Sequence, residues 1–226
     1  MSSVHKKAYQ RAFIFSLSEV RQTKSNILSA ALSLFNENGF VNVRLQHIAD
    51  KSGVSVGNLA YHYANKREIL KNIHADVVQK QVTLLKELNI VPLFEHLDAY
   101  WEHVFEIQNQ YSFFYQDTLE IMRFDPDIAL EYRKHIAWGK GQYRNMLEFN
   151  VARGVFKYPG AQPIRQKADQ MWLIENTWLQ GSSIAGHQNS DVEDFKDQLW
   201  HCLVPFFSHL GEQEHGQLVK YRKIPS

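Results

Sequence analysis

The sequence predicts an all-α fold in two parts, a small N-terminal helical domain followed by a larger helical body. Apolar residues recur along most of the 226-residue chain at intervals of three and four, the spacing of one face of an α-helix. No segment shows a convincing alternation of apolar and polar residues, which would indicate a strand. Glycines, prolines and capping residues divide the apolar stripes into separate helices, and 44% hydrophobic residues suffice to bury a core.

The composition excludes several classes of protein. The single cysteine, Cys202, excludes an internal disulfide and fits a reducing compartment. We expect Cys202 to be a buried apolar residue rather than a redox sensor, because no cation is predicted beside it. The apolar run AFIFSL near the N-terminus is short and lacks a small-residue cleavage site, which argues against a signal peptide. No apolar run is long enough to span a bilayer. We therefore expect a cytoplasmic protein without membrane contact.

Charge is unevenly distributed along the chain. Residues 1–75 contain ten lysines and arginines against four acidic residues, whereas the remainder contains fifteen against twenty. A basic N-terminal part on an acidic body favours contact between that part and a polyanion. Chance clustering of charge on a solvated face is the alternative.

The first predicted helix carries one apolar stripe, at Ile27, Ala30, Ala31, Leu34 and Phe35. Its possible N-cap is Thr23, and Gly39 follows its C-terminus. Leu45, Ile48 and Ala49 then predict a short second helix that ends at Gly53.

A third short helix is predicted from Val56 to about Tyr63, with Ser55 as its N-cap. A capping box at Asn65 and Glu68 then begins a long fourth helix. Two short helices joined by the turn SGVS, after a longer helix, are typical of a helix-turn-helix that binds DNA.

The third helix has the residues that a reading helix needs. Leu59 and Tyr63 face inward as anchors, while Gly57 lets the backbone approach a phosphate or base edge closely. Asn58 on this helix and Gln46 at the start of the second each offer a donor and an acceptor to base edges.

Tyr61 and His62 suit contacts with phosphate or sugar, although both also suit packing within the small domain. Lys66 lies at the N-terminus of the fourth helix, where the helix dipole and unpaired N–H groups favour an anion. A phosphate is its expected partner.

The segments ILSAALSLFNENGF and IADKSGVSVGNLAYHYANKREIL resemble the N-terminal domain of the TetR family of bacterial transcriptional regulators. The resemblance runs unbroken over about residues 21–75. It implies an all-helical homodimer that binds a palindromic double-stranded DNA operator. It also implies that a small molecule entering the C-terminal domain releases the operator.

The resemblance places DNA contacts at nine positions, namely Arg44, Gln46, Ser55, Val56, Gly57, Asn58, Tyr61, His62 and Lys66. Many members have threonines where this chain has Val43 and Arg44, so Arg44 is expected to replace a hydroxyl as a phosphate contact. Many also have a tyrosine where this chain has Ala60, which leaves room for a thymine methyl.

The predicted organisation has four segments: an N-terminal extension (1–20), a three-helix helix-turn-helix DNA-binding domain (21–75), a helical ligand-binding and dimerisation domain (76–211) and a C-terminal tail (212–226). For the extension, with Lys6, Lys7 and Arg11, we favour disorder or packing over contact with DNA. The tail is polar and is expected to be frayed.

The body is predicted to contain a helix after Pro92, a shorter one over YSFFYQDTLEIM, and a long one capped by Asp125 and ending near Phe149. Breaks follow at Gly154, Pro159 and Gly160. A further helix begins at Pro163 and ends at GHQNS. A capping box from Ser190 to Glu193 begins the next, which Pro205 should bend.

Aromatic residues are dense in the body and predict an apolar pocket without fixed charge, although ordinary core packing is the safer interpretation of each residue taken alone. The candidate ligand-binding residues are Trp101, Phe105, Phe114 and Trp172. The resemblance implies that the last two predicted helices form a dimer interface, and its candidate residues are Trp178, Leu199, Leu203 and Phe206.

No cofactor or metal is predicted, because no Cys or His pair has metal-ligand spacing. His96, Asp98 and His103 do not share one helix face, so a solvated edge is expected there. The sequence predicts a repressor released by a small apolar or aromatic ligand. The alternatives are a DNA-binding factor controlled by a protein partner and, third, an all-helical enzyme, for which no nucleophile, base and orienting group stand at matched spacing.

Overall fold

The computed structural model describes residues 3–157, 160–186 and 191–222, with side chains from residue 18 onward except Ala161. Within those residues it is all-α, with eleven α-helices, one short 3-10 helix and a single isolated bridge between Phe156 and Phe207. The predicted fold class is confirmed. The chain divides into two compact units, Met1–Ala75 and Asp76–Ser226, and the boundary falls inside the fourth helix.

The first unit holds the helices α1 (Ser3–Asn38), α2 (Leu45–Ser52), α3 (Val56–His62) and the first part of α4 (Lys66–Leu88). Its core consists of fully or nearly fully buried side chains, among them Ile27, Ala31, Phe35, Phe40, Val43, Ile48, Ala49, Leu59, Ile69 and Leu70. These are the apolar stripes of the sequence, because residues three and four apart on a helix share one face.

Helix α1 begins at Ser3, so the predicted N-cap at Thr23 is wrong, and the described residues of the predicted extension belong to α1. No glycine or proline interrupts residues 3–38, and nothing therefore ends the helix. Thr23 lies inside the helix, where its hydroxyl donates to the Glu19 carbonyl at 2.9 Å. The side chains of Lys6, Lys7 and Arg11 lie outside the described residues.

The second unit continues from α4 through seven further α-helices: α5 (Phe94–Gln110), α6 (Ser112–Gln116), α7 (Thr118–Phe124), α8 (Pro126–Ala152), α9 (Ala161–Ile184), α10 (Val192–Leu203) and α11 (His209–Arg222). The single short helix expected over YSFFYQDTLEIM is two helices, α6 and α7, which meet at Asp117. Pro205 lies in the 3-10 helix Val204–Phe206, which follows α10.

The N-caps of α8 and α10 can be compared with the capping residues that the sequence predicted. Asp125 is the N-cap of α8, and its carboxylate accepts from the Asp127 and Ile128 amides at 2.9 and 3.3 Å. At α10 the N-cap is Asp191, which accepts from the Glu193 amide at 3.1 Å. The predicted box began one residue earlier, at Ser190, which lies outside the described residues, as does Pro159.

The core of the second unit is formed by α5, α8, α9 and α10. Its largest fully buried side chains include Phe94, Trp101, Tyr143, Phe195 and Trp200. The Trp101 and Trp200 rings meet edge to face at 5.1 Å, an arrangement that aromatic pairs favour.

The segment after Gly211 is helical, so the predicted frayed tail is wrong up to Arg222. The Arg222 guanidinium pairs with Asp98, whose carboxylate is buried and also accepts from the Trp200 indole at 2.8 Å. Lys196 lies 3.3 Å from the same carboxylate. Asp98 is therefore a buried ion-pair residue rather than part of a solvated edge, because two cations and an indole compensate its burial.

Candidate nucleic-acid interface and ligand region

Helices α2 and α3 are joined by a tight turn whose geometry depends on one glycine. Gly53 has φ of 71°, in the left-handed region that side chains disfavour. The Val54 amide donates to the Ala49 carbonyl at 3.1 Å across this turn. The turn fixes the direction of α3 as it leaves α2.

Helix α3 has one buried anchor and an exposed outer face. Leu59 is fully buried, and Tyr63, directly after the helix, is 6% exposed. The Ser55 hydroxyl accepts from the Asn58 amide at 3.1 Å and so caps the helix. Tyr61 lies on the outer face and is 80% exposed.

Packing within the chain would allow a side chain at position 57, where the sequence has glycine. A Cβ at this position would meet only the Ser55 hydroxyl, at 3.9 Å. Ser55, Val56, Gly57 and Asn58 are all exposed. The first turn of α3 therefore presents backbone and small polar groups to solvent, where a DNA groove can approach them.

The start of α2 offers two further exposed candidates. Arg44 precedes the helix, and its amide donates to His47 Nδ1 at 3.3 Å. Gln46 is exposed, but its amide already donates to Asp50 Oδ1 at 2.7 Å. A base contact through Gln46 requires this intrahelical hydrogen bond to be exchanged or shared.

Lys66 is held within the small unit. Its ammonium donates to the Phe40 carbonyl, lies 3.4 Å from the Val41 carbonyl and is 4.0 Å from the centre of the Phe40 ring. Burial lowers the pKa of Lys66 to about 8. The phosphate contact stays a prediction, and making it requires the ammonium to leave the Phe40 carbonyl. His62 is half-buried and meets the Tyr61 ring at 5.2 Å.

The four candidate ligand residues each pack against a different partner. The Trp101 indole donates to the Tyr143 hydroxyl at 3.1 Å, and Phe114 meets Tyr132 edge to face at 5.2 Å; both are fully buried.

The other two candidates are half-buried. Phe105 meets Phe195 at 5.7 Å, and Trp172 lies under the Lys140 ammonium at 5.1 Å. Trp101 belongs to the hydrophobic core cluster of the second unit, and Phe105 and Trp172 pack against that same cluster.

Sequence reasoning missed a polar cluster at the centre of the second unit, which we call the Glu175 cluster. It consists of one carboxylate, four phenols and two amides, contributed by Glu175, Tyr100, Tyr115, Tyr132, Tyr143, Gln81 and Gln108. All seven side chains are buried.

Glu175 occupies a core position of α9. It has the helical spacing of its buried neighbours Met171 and Leu179, which was the available signal. Burial raises the pKa of Glu175 to about 7, while hydrogen bonds from Tyr143, Tyr100 and Asn176 act in the opposite direction.

Two of the four predicted dimer residues are corrected. Leu199 and Leu203 are fully buried in the chain's own core, so they have no surface left for a partner. Trp178 and Phe206 are half-buried, against Phe195 and the Lys167 ammonium respectively.

Cys202 is also half-buried, with the Lys167 ammonium 3.5 Å from its sulfur. The expectation of no cation beside it is therefore wrong. No helix in the described part of the chain combines the length and apolar character needed to cross a lipid bilayer. Among the same residues, no group of three or more His, Cys, Asp or Glu is arranged to hold a metal.

Two family models match the chain. One, described as bacterial regulatory proteins of the tetR family, matches residues 27–73. The other, TetR, described as a bacterial transcriptional repressor, matches residues 77–217, which is more than half of the chain. No curated protein sequence matches.

Solved structures share the fold at low identity. A TetR-family regulator from Marinobacter aquaeolei VT8 is 23% identical with a TM-score of 0.77, over 88% of this chain and 98% of that one. A TetR-family regulator from Agrobacterium tumefaciens is 17% identical with a TM-score of 0.68, over 84% and 100%. A gamma-butyrolactone receptor described as ArpA-like is 15% identical with a TM-score of 0.64, over 85% and 92%.

Proposed function

The chain belongs to the TetR family of bacterial transcriptional regulators, and from this premise we propose that it is a homodimeric repressor. It binds a palindromic operator through α3 and is released when a small effector binds the second unit. The observation that carries this proposal is the form of α3, which is anchored by Leu59 and presents Ser55 to Asn58 and Tyr61 outward. A short helix of this kind fits the major groove.

The operator sequence can be identified by selection from random double-stranded DNA, followed by mobility-shift titration of the selected site. We expect enrichment of a palindrome, because a two-fold dimer places two reading helices about 34–36 Å apart, one turn of DNA. Recovery of sequences without any two-fold symmetry would contradict the dimeric part of the proposal. Failure to retain any DNA would contradict DNA binding itself.

Asn58→Ala is expected to reduce discrimination between the operator and a single-base mismatch by about 1–3 kcal/mol, because its exposed side-chain amide can pair with a base edge. Lys66→Met should instead weaken binding to all DNA sequences alike. It should also lower the salt dependence of the affinity by about one phosphate contact per subunit. The measurement is mobility shift at several salt concentrations, with Asn42→Ala, exposed in the turn between α1 and α2, as the control. If Lys66→Met left the salt slope unchanged, Lys66 would not contact phosphate, and its role would be the hydrogen bond to the Phe40 carbonyl.

The proposed dimer interface lies on the outer face of α9. Leu173, Thr177, Gly181 and Ile184 follow one another at intervals of four, four and three, and all are exposed, with Ile184 at 81%. A second copy of the chain would bury this stripe against its own equivalent, as a two-fold axis requires. Trp178 and Phe206, both half-buried, remain candidates.

Leu173→Asp is expected to dissociate the dimer and lower operator affinity at least about tenfold, since each monomer then binds only one half-site. Leu130→Asp is the matched control, because both leucines lie on long helices and both are 53% exposed. Analytical ultracentrifugation gives the oligomeric state, and mobility shift gives affinity. Equal behaviour of the two variants would place the interface elsewhere.

The effector part of the proposal is supported by the size of the second unit and by a structural relative named as a gamma-butyrolactone receptor. Release requires only that the effector prefer one conformation, in which the two reading helices no longer match the groove spacing. The sequence predicted an apolar or aromatic effector from the lack of fixed charge near the aromatic residues. The buried carboxylate of Glu175 changes that expectation.

A further inference from the structure

The Glu175 cluster contains a carboxylate that lacks a counter-ion. Glu175 is 5% exposed, and no Lys, Arg or His of the described residues forms an ion pair with it. Its partners are neutral: the Tyr143 hydroxyl donates to Oε2, the Tyr100 hydroxyl lies 3.5 Å from Oε1, and the Asn176 amide donates to Oε1 at 3.4 Å. A buried carboxylate is costly without a cation, so a neutral shell of phenols and one amide leaves its charge incompletely compensated.

Two further acceptors in the same cluster have no partner. The Gln108 amide nitrogen donates to the Glu175 backbone carbonyl at 2.6 Å, and the Gln81 nitrogen donates to the Tyr115 hydroxyl at 2.7 Å. The side-chain oxygens of both glutamines are buried and make no hydrogen bond within the described residues. Buried acceptors of this kind normally have a donor, so each indicates a missing N–H or O–H group.

We propose that the Glu175 cluster is the effector site and that its effector is a small protonated amine. The cluster offers one carboxylate and two amide oxygens without donors, and an ammonium brings one positive charge and up to three N–H donors. The phenol rings supply aromatic faces, which attract cations. A carboxylate or phosphate effector would instead be repelled by the ionised Glu175 carboxylate.

One pocket of the second unit shares Tyr100 with the cluster. This side chain lines an open pocket of about 430 Å³ between the end of α4 and α5, together with Leu84, Leu88 and Ala99. Its hydroxyl reaches the Glu175 carboxylate. Tyr100 thus contacts both the pocket and the carboxylate.

The inference rests on the proposed effector-controlled function and names the chemistry of the effector. Binding is therefore measured without DNA, by calorimetry and tryptophan fluorescence on the full-length protein. The probes are phenethylamine, phenethyl alcohol and phenylacetate, which share a phenyl group and differ in charge. Trp101 donates to Tyr143, which itself donates to Glu175, so its fluorescence should respond to occupation.

Phenethylamine is expected to bind at least about tenfold more tightly than the alcohol, and phenylacetate most weakly. Glu175→Gln should abolish the preference for the amine, whereas Glu148→Gln, the same change at an exposed position of α8, should leave it intact. Equal affinity for amine and alcohol in the unaltered protein would overturn the proposal. Absence of amine binding at millimolar concentration would also overturn it, and ordered water would then account for the two amide oxygens.

The pH dependence gives a second readout. The groups that face Glu175 are Tyr100 from α5, Tyr115 from α6, and Tyr132 and Tyr143 from α8, and burial raises the pKa of all four phenols, so they stay neutral. Amine affinity should therefore fall about tenfold for each pH unit below 7, as Glu175 becomes protonated. Affinity for the alcohol should not change.

The failure of the effector chemistry and the failure of the proposed function are distinguishable. Amine binding by a protein that retains no DNA would refute the repressor and leave the amine site standing. Operator binding with no preference for amines would do the opposite. Amine binding that releases the operator supports both.

Discussion

Gly211→Ala is expected to lower the free energy of unfolding by about 3 kcal/mol, through a clash that cannot be relieved by a side-chain movement. A Cβ at Gly211 would collide with the Val155 backbone carbonyl and lie 3.4 Å from Phe207 Cβ. The same carbonyl accepts from the Ser208 amide at 2.9 Å, and the Ser208 hydroxyl donates to the Gly154 carbonyl at 2.6 Å. Helix α11 must therefore move away from hydrogen-bonded backbone to admit a methyl group.

The control for this prediction lies in the same helix. A Cβ at Gly216 would meet nothing within 4 Å, so Gly216→Ala should raise stability by up to about 1 kcal/mol through helix propensity alone. Urea unfolding followed by circular dichroism measures both variants. If Gly211→Ala were as stable as Gly216→Ala, the close packing of α11 on Val155 would be refuted.

Glu175→Gln is expected to make the protein more stable at pH 8 by about 3 kcal/mol. The carboxyl has a pKa of about 7 in the folded state and 4.5 as its ordinary value, and each pKa unit corresponds to about 1.4 kcal/mol. Between these two values the folded state binds the extra proton, so stability falls as pH rises and levels off above 7. A neutral amide at this position avoids the loss.

The measurement is the free energy of unfolding from urea titrations at several pH values from 4 to 9. The difference between the variant and the unaltered protein should be small at about pH 4 and should grow until about pH 8. Glu148→Gln, which changes an exposed carboxylate, serves as the control. A constant difference across this range would mean that Glu175 ionises normally and is accessible to water.

The helix-turn-helix was predictable because its signals are local. The Ser55 cap, the glycine at 53 and the apolar positions Ile48 and Leu59 act within a few residues of one another, and the structure has each in its expected role. The start of α1 was not predictable from the Thr23 cap alone. A capping residue permits a helix to begin but does not stop one that is already formed.

The polar interior of the second unit could not be predicted from sequence. Asp98 and Glu175 fall at core positions of α5 and α9, but the partners that compensate their burial come from helices far away in the sequence. Leu199 and Leu203 show the converse. An apolar stripe shows that a helix face is buried, but only the fold shows whether it is buried in its own chain or in a partner.

The pairing of Arg222 with Asp98 has a consequence for the order of folding. The two residues are 124 positions apart, so their contact closes a very long loop and is entropically costly to form early. We expect α11 to dock after the rate-limiting barrier, once α5 and α10 already hold Asp98 and Lys196 in place. Weakening this ion pair should accordingly speed unfolding while leaving the rate of refolding nearly unchanged.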